Sequence, residues 1–181
     1  MNFLQRIFGS AEESPEEKKK ETEVRQFDAL KYDGIAALKI GQVDYAVTCF
    51  SHALQLRDDL EIHDHLSVAY IHQNQMANAV NELRLLADAQ PDNQAVWVRM
   101  ARVCYMMEDY DQMAEACERA EAVGAGSAEV SYLYAEARQG QGDKEAAVAL
   151  LGEAIARDEH HGAAYLLRGQ ILMEMDRLEE A

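Results

Sequence analysis

The residues best placed to bind a metal ion are the two histidines of the segment 61–65. His63 and His65 flank an aspartate, and a glutamate precedes them, so imidazole and carboxylate groups stand close together. First-row transition metals bind such groups. Residues two apart on a helix point in different directions, however, and the position of His63 in the repeat described below is elsewhere apolar or aromatic. We therefore predict a packing histidine at His63 and no metal site.

The other candidate reactive groups also favour structural roles. Cys104 and Cys117 fall where other repeats carry apolar core residues, which predicts buried thiols that pack as small hydrophobes. His160 and His161 lie in a predicted turn, and we expect them to face solvent. The chain contains no phosphate-binding glycine loop, nucleophile elbow or metalloprotease helix. We predict no enzymatic activity and no cofactor.

Composition and charge argue against several classes of partner. The 181 residues include 33 acidic and 17 basic side chains, and the formal net charge is −16. Such a charge repels the phosphates of nucleic acids and anionic lipids, so we expect neither nucleic acid nor a membrane as partner. The first nine residues lack the continuous apolar stretch of a secretory signal, and no segment is long enough to span a bilayer. Three cysteines fit a reducing compartment, and we predict a cytoplasmic protein.

Small residues recur along the chain at intervals of 33 or 34 residues. This spacing matches the period of about 34 residues that is typical of helix-turn-helix repeat arrays. The ladder of small residues consists of Gly34, Ser67, Ala101, Ala135 and Gly169; a second ladder with the same spacing is alanine except at one position and consists of Ala46, Ala79, Met113, Ala147 and Ala181. Small residues in phase allow helices to approach closely at the same place in each unit. Since no alternating strand pattern appears either, the sequence predicts an all-α solenoid.

The chain divides into an extension and a repeat domain. Residues 1–26 comprise an apolar segment, a linker and a charged helix that begins with Ser14 as N-cap, Pro15 and Glu17. We expect this helix to continue into the first repeat. Residues 27–181 form about five units, at 27–59, 60–93, 94–127, 128–161 and 162–181, of which the last is incomplete. The final helix is apolar on more than one side, which suggests either a capping helix or the front part of a longer protein; we favour the second.

The layout of the units resembles the tetratricopeptide repeat (TPR), whose pattern is W-x2-L-G-x2-Y, then A-x3-F, then a proline. Residues that follow this pattern are Trp97, Met100, Ala101 and Cys104 in unit three, Leu66, Ser67, Tyr70 and Pro91 in unit two, and Ala46 and Phe50 in unit one. Asp33, Arg138 and Arg168 depart from it. The resemblance covers residues 27–181 and implies a right-handed superhelix of stacked helix pairs.

In this family the first helix of each unit lines a concave groove, and the resemblance implies a partner-binding site there. The predicted anchors are basic, apolar or aromatic: Lys31, Ile35, His72, Arg99, Arg102, Tyr105 and Tyr132. Arginine beside aromatic residues is the composition of an interface hot spot. Glu136 and Gln139 also line the predicted groove, and an alternative role for Ile35, Ile71 and Met106 is packing between helices. The basic and asparagine residues with which some TPR proteins clamp a partner's C-terminal carboxylate are largely absent, so chaperone tails are not the expected ligands.

The predicted function is a protein–protein interaction scaffold or adaptor that binds a partner peptide or helix in the groove. One alternative is structural self-assembly or tethering, through Phe3, Leu4, Ile7 and Phe8 or through the C-terminal helix. A second alternative is a small acidic TPR chaperone, which is a narrower form of the predicted function. A third is the regulatory front end of an enzyme that lies beyond Ala181.

Overall fold

Helices account for the secondary structure of this protein in the computed structural model, which describes residues 14–124, 126–177 and 179. Within those ranges there are nine α-helices and no strand. They are α1 (Pro15–Lys39), α2 (Val43–Leu56), α3 (Leu60–His72), α4 (Met76–Ala89), α5 (Gln94–Met106), α6 (Tyr110–Val123), α7 (Ala128–Gly140), α8 (Lys144–Arg157) and α9 (Gly162–Glu174). The prediction of an all-α fold built from repeated helix pairs is confirmed.

The first helix begins at the capping box that the sequence predicts. The Ser14 hydroxyl accepts a hydrogen bond from the Glu17 backbone N–H, and the Glu17 carboxylate accepts one from the Ser14 backbone N–H. The Ser14 bonds lower the pKa of Glu17 below its ordinary value. Helix α1 then passes without a break through the predicted boundary at residues 26 and 27. The apolar residues Phe3 to Phe8 and the predicted linker lie outside the described residues.

Each described turn that follows the first helix of a repeat has the same backbone geometry. One residue of each turn has a positive φ between 56° and 84°, and these residues are Gly41, Asn74, Glu108, Gly142 and Asp176. In each turn the next residue donates its N–H to a carbonyl five residues back, as from Gln42 to Ala37 at 2.9 Å. This 6→1 bond is that of a Schellman motif, which satisfies carbonyls that the helix end leaves without partners. The repeat is therefore visible in the backbone as well as in the sequence.

The small-residue ladder marks close helix contact, although not at every step. A Cβ atom added at Gly34 would lie 2.5 Å from the Phe50 ring, so the glycine is required for α1 to pack on α2. Ser67, Ala101 and Ala135 are fully buried at the equivalent positions. At Gly169 no described atom lies within 4 Å of an added Cβ. The second ladder is buried at each of its described positions, from Ala46 to Ala147, and Ala181 is outside the description.

The described residues pack into two compact units, of which the first ends at Ile62 and the second begins at His63. In the first unit, α1 packs on α2 around Phe27 and Phe50, which are almost completely buried. In the second unit, one core cluster is shared by α4, α5, α6 and α7, and another by α7, α8 and α9. Each pair of consecutive helices from α4 to α9 is in contact, and α5 also touches α7.

The cysteines are buried, as predicted for Cys104 and Cys117. Burial raises the pKa of Cys104 to about 11 and that of Cys117 to about 12, so both thiols stay protonated at neutral pH. Among the residues described, no helix combines the length and the apolar character needed to cross a membrane. Within the same ranges, no three His, Cys, Asp or Glu side chains are grouped so that they could hold a metal ion.

Candidate protein-binding surface

His63 lies in the core of the second unit. Only 8% of its surface is exposed, and its Nδ1 atom lies 2.5 Å from the Glu82 carboxylate of α4. The sequence-based interpretation of a packing histidine is therefore confirmed, and the structure adds Glu82 as its hydrogen-bond partner. His161 differs from the expectation of a solvated residue. Its Nδ1 accepts the Ala164 N–H and so caps the N-terminus of α9.

Lys31 and Ile35 lie on α1 in the first unit. The Lys31 ammonium forms ion pairs with Asp59 at 3.3 Å and Glu61 at 2.6 Å, and only 13% of its side chain is exposed. Burial acts to lower the pKa of Lys31, but the hydrogen bonds to Glu61 and Asp59 outweigh it and the pKa is raised. Ile35 is half-buried. Lys31 is thus engaged within its own unit and offers little free charge to a partner.

The two predicted arginine anchors of the second unit are also paired with carboxylates. Arg99 of α5 binds the Asp64 carboxylate of α3 and donates to the Ser67 hydroxyl at 3.2 Å. Arg102 of α5 pairs with Glu129 of α7. These pairs join the first helices of neighbouring repeats. The concentration of positive charge that the sequence predicts on this surface is therefore largely neutralised by the acidic residues beside it.

The aromatic anchors keep more of their surface free. Tyr105, near the end of α5, is 45% exposed, and Met106 beside it is exposed as well. Tyr132 of α7 is half-buried, and its hydroxyl donates to the Glu136 carboxylate at 2.9 Å. The Tyr132 ring also packs near the His161 ring, with centroids 5.0 Å apart. His72, the last residue of α3, is exposed.

An open cleft of ≈ 370 Å³ lies beside these aromatic residues. Its walls come from α5, α6, α7 and α9, and its lining residues are Tyr105, Tyr110, Glu136, Gln139, Gly140 and Leu167. The Tyr110 ring fits against Gly140, because a Cβ atom there would approach the ring to 2.3 Å. All four helices belong to the second unit, so the cleft is part of one packed body. We call it the Glu136 cleft.

Glu136 is the charged group of the cleft, and its environment disfavours its ionised form. Burial raises its pKa above the ordinary glutamate value, and the hydrogen bond from Tyr132 offsets only part of this effect. Burial also raises the pKa of Tyr132, to about 12, together with the adjacent Glu136 carboxylate. The negative charge of Glu136 is the main cause of the raised pKa of Tyr105, and both residues line the cleft.

Sequence reasoning placed Glu136 and Gln139 in the groove lining but not among the anchors, and it missed Tyr110 and Leu167. Glu136 follows Ala135 of the small-residue ladder directly, at the position that Arg102 occupies one repeat earlier. This position in the repeat is what predicted the face of the helix on which Glu136 lies. Tyr110 begins a second helix and Leu167 lies on the terminal one, and only the packing of α6 and α9 brings them to the cleft.

Comparisons with known proteins find structural similarity only. No protein-family model matches the chain, and no curated protein matches its sequence. A solved structure of MamA from Desulfovibrio magneticus RS-1, residues 41 to the end, has a TM-score of 0.77 and 15% identity, covering 86% of this chain and 88% of that one. A crystal structure of MamA protein gives a TM-score of 0.79 at 15% identity, over 86% and 85% of the two chains. The structure of MamA MSR-1 gives 0.71 at 20% identity, over 87% and 91%. At these identities the similarity establishes a shared helical-repeat fold.

Proposed function

We propose that this protein is a protein–protein interaction scaffold that binds a peptide or helix of a partner. The binding surface is formed by the first helices α5 and α7 of the second unit, around Arg102, Tyr105, Met106 and Tyr132. We propose that it works in the cytoplasm without a cofactor, and that a small acidic chaperone is the narrower form of the same activity.

The observation that carries this proposal is the exposure of Tyr105, which lines the Glu136 cleft, and of Met106, the next residue along the chain. Both side chains are large and apolar, and they stand on a helix that is packed against α4, α6 and α7. Tyrosine and arginine are enriched among residues that dominate binding energy. Because the helices are already ordered, the receptor loses little conformational entropy when a partner binds.

The experiment is a capture of partners from lysate of the source cells, read by mass spectrometry. We expect a partner that binds the wild-type protein and is lost from Tyr105→Ala. The matched control is Tyr45→Ala, because Tyr45 is 53% exposed but lies on α2, a second helix. A partner held equally by all three proteins, or no specific partner, would contradict the proposal.

A second candidate function, assembly of several copies or tethering, is favoured by the apolar surface of α9. Leu166 is 71% exposed, and Tyr165 and Met173 are about half exposed on the same helix. Exposed apolar residues grouped on one element often mark an interaction site. Light scattering of wild type and Leu166→Glu tests this function. An oligomer that becomes a monomer in the variant would support assembly, and two monomers would exclude assembly through α9.

A further inference from the structure

We propose that the Glu136 cleft binds a lysine or arginine side chain of the partner, with the Glu136 carboxylate as its counter-ion. This inference rests on the proposed function, because it names the chemistry of the segment that the scaffold binds. The experiment below distinguishes failure of this inference from failure of the proposed scaffold function.

The first argument is that, among the described residues, Glu136 lacks the arginine partner that three other carboxylates of the second unit have. Asp64, Glu129 and Glu118 each form an ion pair with an arginine of an adjacent helix or turn of the same unit. Across the part of the chain that the structure describes, the partner recorded for Glu136 is the neutral Tyr132 hydroxyl, and no cation pairs with it. The cleft thus contains a half-buried carboxylate beside a void, and a cation placed there would complete the pairing seen elsewhere on this surface.

The cost of partly burying the Glu136 carboxylate also favours a cationic ligand in the cleft. A carboxylate that is partly removed from water loses hydration energy, and an adjacent opposite charge compensates for that loss by stabilising the ionised form. The raised pKa of Glu136 has burial as its main cause, so the site is one where a cation would strengthen the ionised form. Hydrogen bonds between charged partners are about twice as strong as those between neutral groups. A basic side chain therefore gains more here than at the exposed acids of the same surface.

The third argument is the shape and lining of the cleft. Its volume of ≈ 370 Å³ falls within the range of about 300–1,000 Å³ that is typical of ligand sites. Tyr105 and Tyr110 supply aromatic surface, against which a guanidinium or ammonium group is attracted by the ring electrons. Leu167 offers an apolar contact for the methylene stem of the same side chain, and the Gln139 amide offers a carbonyl acceptor.

The fourth argument is the charge of the whole chain. A net charge of −16 attracts basic segments over distances of about a Debye length, roughly 8 Å at physiological ionic strength. Attraction of this kind raises association rates without specifying an orientation. The Glu136 cleft would supply the orientation, because it holds one basic residue between aromatic walls.

The experiment begins with selection of binders from a displayed library of random peptides, with wild-type protein as bait. We expect the selected peptides to share lysine or arginine at one aligned position. Affinity for the best peptide should fall at least about 10-fold in Glu136→Gln, as expected when one partner of a desolvated charge pair is removed. The control Glu115→Gln changes the net charge equally, but Glu115 is an exposed residue on α6, and we expect affinity within about twofold of wild type.

A double-mutant cycle tests the contact itself. Replacing the basic residue of the peptide by its neutral analogue, citrulline for arginine or norleucine for lysine, should weaken binding to wild type and have little effect on Glu136→Gln. Such coupling supports the inference. If the selected peptides lose affinity on Tyr105→Ala but lack a basic position, or bind Glu136→Gln as tightly as wild type, the inference is wrong and the scaffold function stands. If no peptide is selected, or none depends on Tyr105, both are wrong. Circular dichroism of each variant confirms that it is folded.

Discussion

At the scale of the residue, Glu136 shows how the chemistry of a side chain depends on its neighbours. Arg102 occupies the equivalent place one repeat earlier and pairs with Glu129 across the helix contact. Glu136 accepts a hydrogen bond from the Tyr132 hydroxyl instead, and burial raises its pKa. Among the described residues, the position after the ladder residue therefore holds a cation paired with an acid in one repeat and an acid without a recorded cation in the next. Of these two positions, Glu136 is therefore the one to test for a bound cation.

The raised pKa of Glu136 predicts how stability depends on pH. A carboxyl group whose pKa is higher in the folded state than in the unfolded state destabilises the fold at pH values above both. This penalty disappears as pH falls through the folded pKa. We expect Glu136→Gln to unfold at higher urea concentration than wild type at pH 7, and the difference to vanish near pH 4. The pKa values of Tyr105 and Tyr132 are both raised, so their hydroxyls stay protonated throughout this range. A difference that grows on acidification would contradict the burial argument.

At the scale of the element, the repeat works through two backbone devices, the small residue between helices and the left-handed turn residue. Both recur at intervals of 33 or 34 residues, but each tolerates variation where the local contact differs. An added Cβ atom at Gly34 would collide with the Phe50 ring, whereas no described atom lies within 4 Å of a Cβ atom added at Gly169. The turn residue with positive φ is a glycine in two of the described turns, at Gly41 and Gly142. In the other three it carries a side chain, at Asn74, Glu108 and Asp176.

The two glycines of the ladder are expected to respond to alanine with opposite signs. Gly34→Ala should lower the free energy of unfolding by about 1–3 kcal/mol, because the added Cβ overpacks the contact with Phe50. Gly169→Ala should raise it by about 0.5–1 kcal/mol, because alanine is the better helix former and the space is open. Urea unfolding of both variants checks the pair. Equal effects of the two changes would show that the ladder does not report helix contact.

The turn residue Glu108 provides a second test at this scale. Its φ of 56° is costly for a residue with a Cβ atom, so Glu108→Gly should stabilise the protein by about 1 kcal/mol. The same change in the middle of α6, Glu115→Gly, should destabilise it by about 1 kcal/mol, because glycine is a poor helix former. Thermal unfolding followed by circular dichroism distinguishes the two. A melting temperature lowered by Glu108→Gly would contradict the assigned turn geometry.

Much of this element-scale structure could be predicted from the sequence, and the reason is its periodicity. The ladder from Gly34 to Gly169 gave the helix pairs, and the run from Ser14 to Glu17 gave the start of α1, because both depend on local spacing. The pairing of Arg102 with Glu129 depends on the axial offset between helices α5 and α7. No local sequence pattern predicts that offset. The same limit explains why the Glu136 cleft was missed as a site.

At the scale of the whole molecule, the chain combines a helical-repeat fold with a strong negative charge. The basic anchors Lys31, Arg99 and Arg102 form ion pairs with acidic residues of their own unit. The surface available to a partner is therefore aromatic and acidic. A partner segment with basic and apolar residues suits that surface better than an acidic one. The proposed binding surface is therefore aromatic and acidic, whereas the sequence-based prediction included basic anchors; the first helices carry both sets of residues.

The measurement that tests this account most directly is a chemical-shift map of the isotopically labelled protein with the best selected peptide. Recognition by the first helices predicts that the largest shift changes fall on α5 and α7, at Tyr105, Tyr132 and Glu136, and that they are absent in Tyr105→Ala. Changes confined to the second helices α4, α6 and α8, or to residues 1–13, would contradict the account and place recognition elsewhere on the chain.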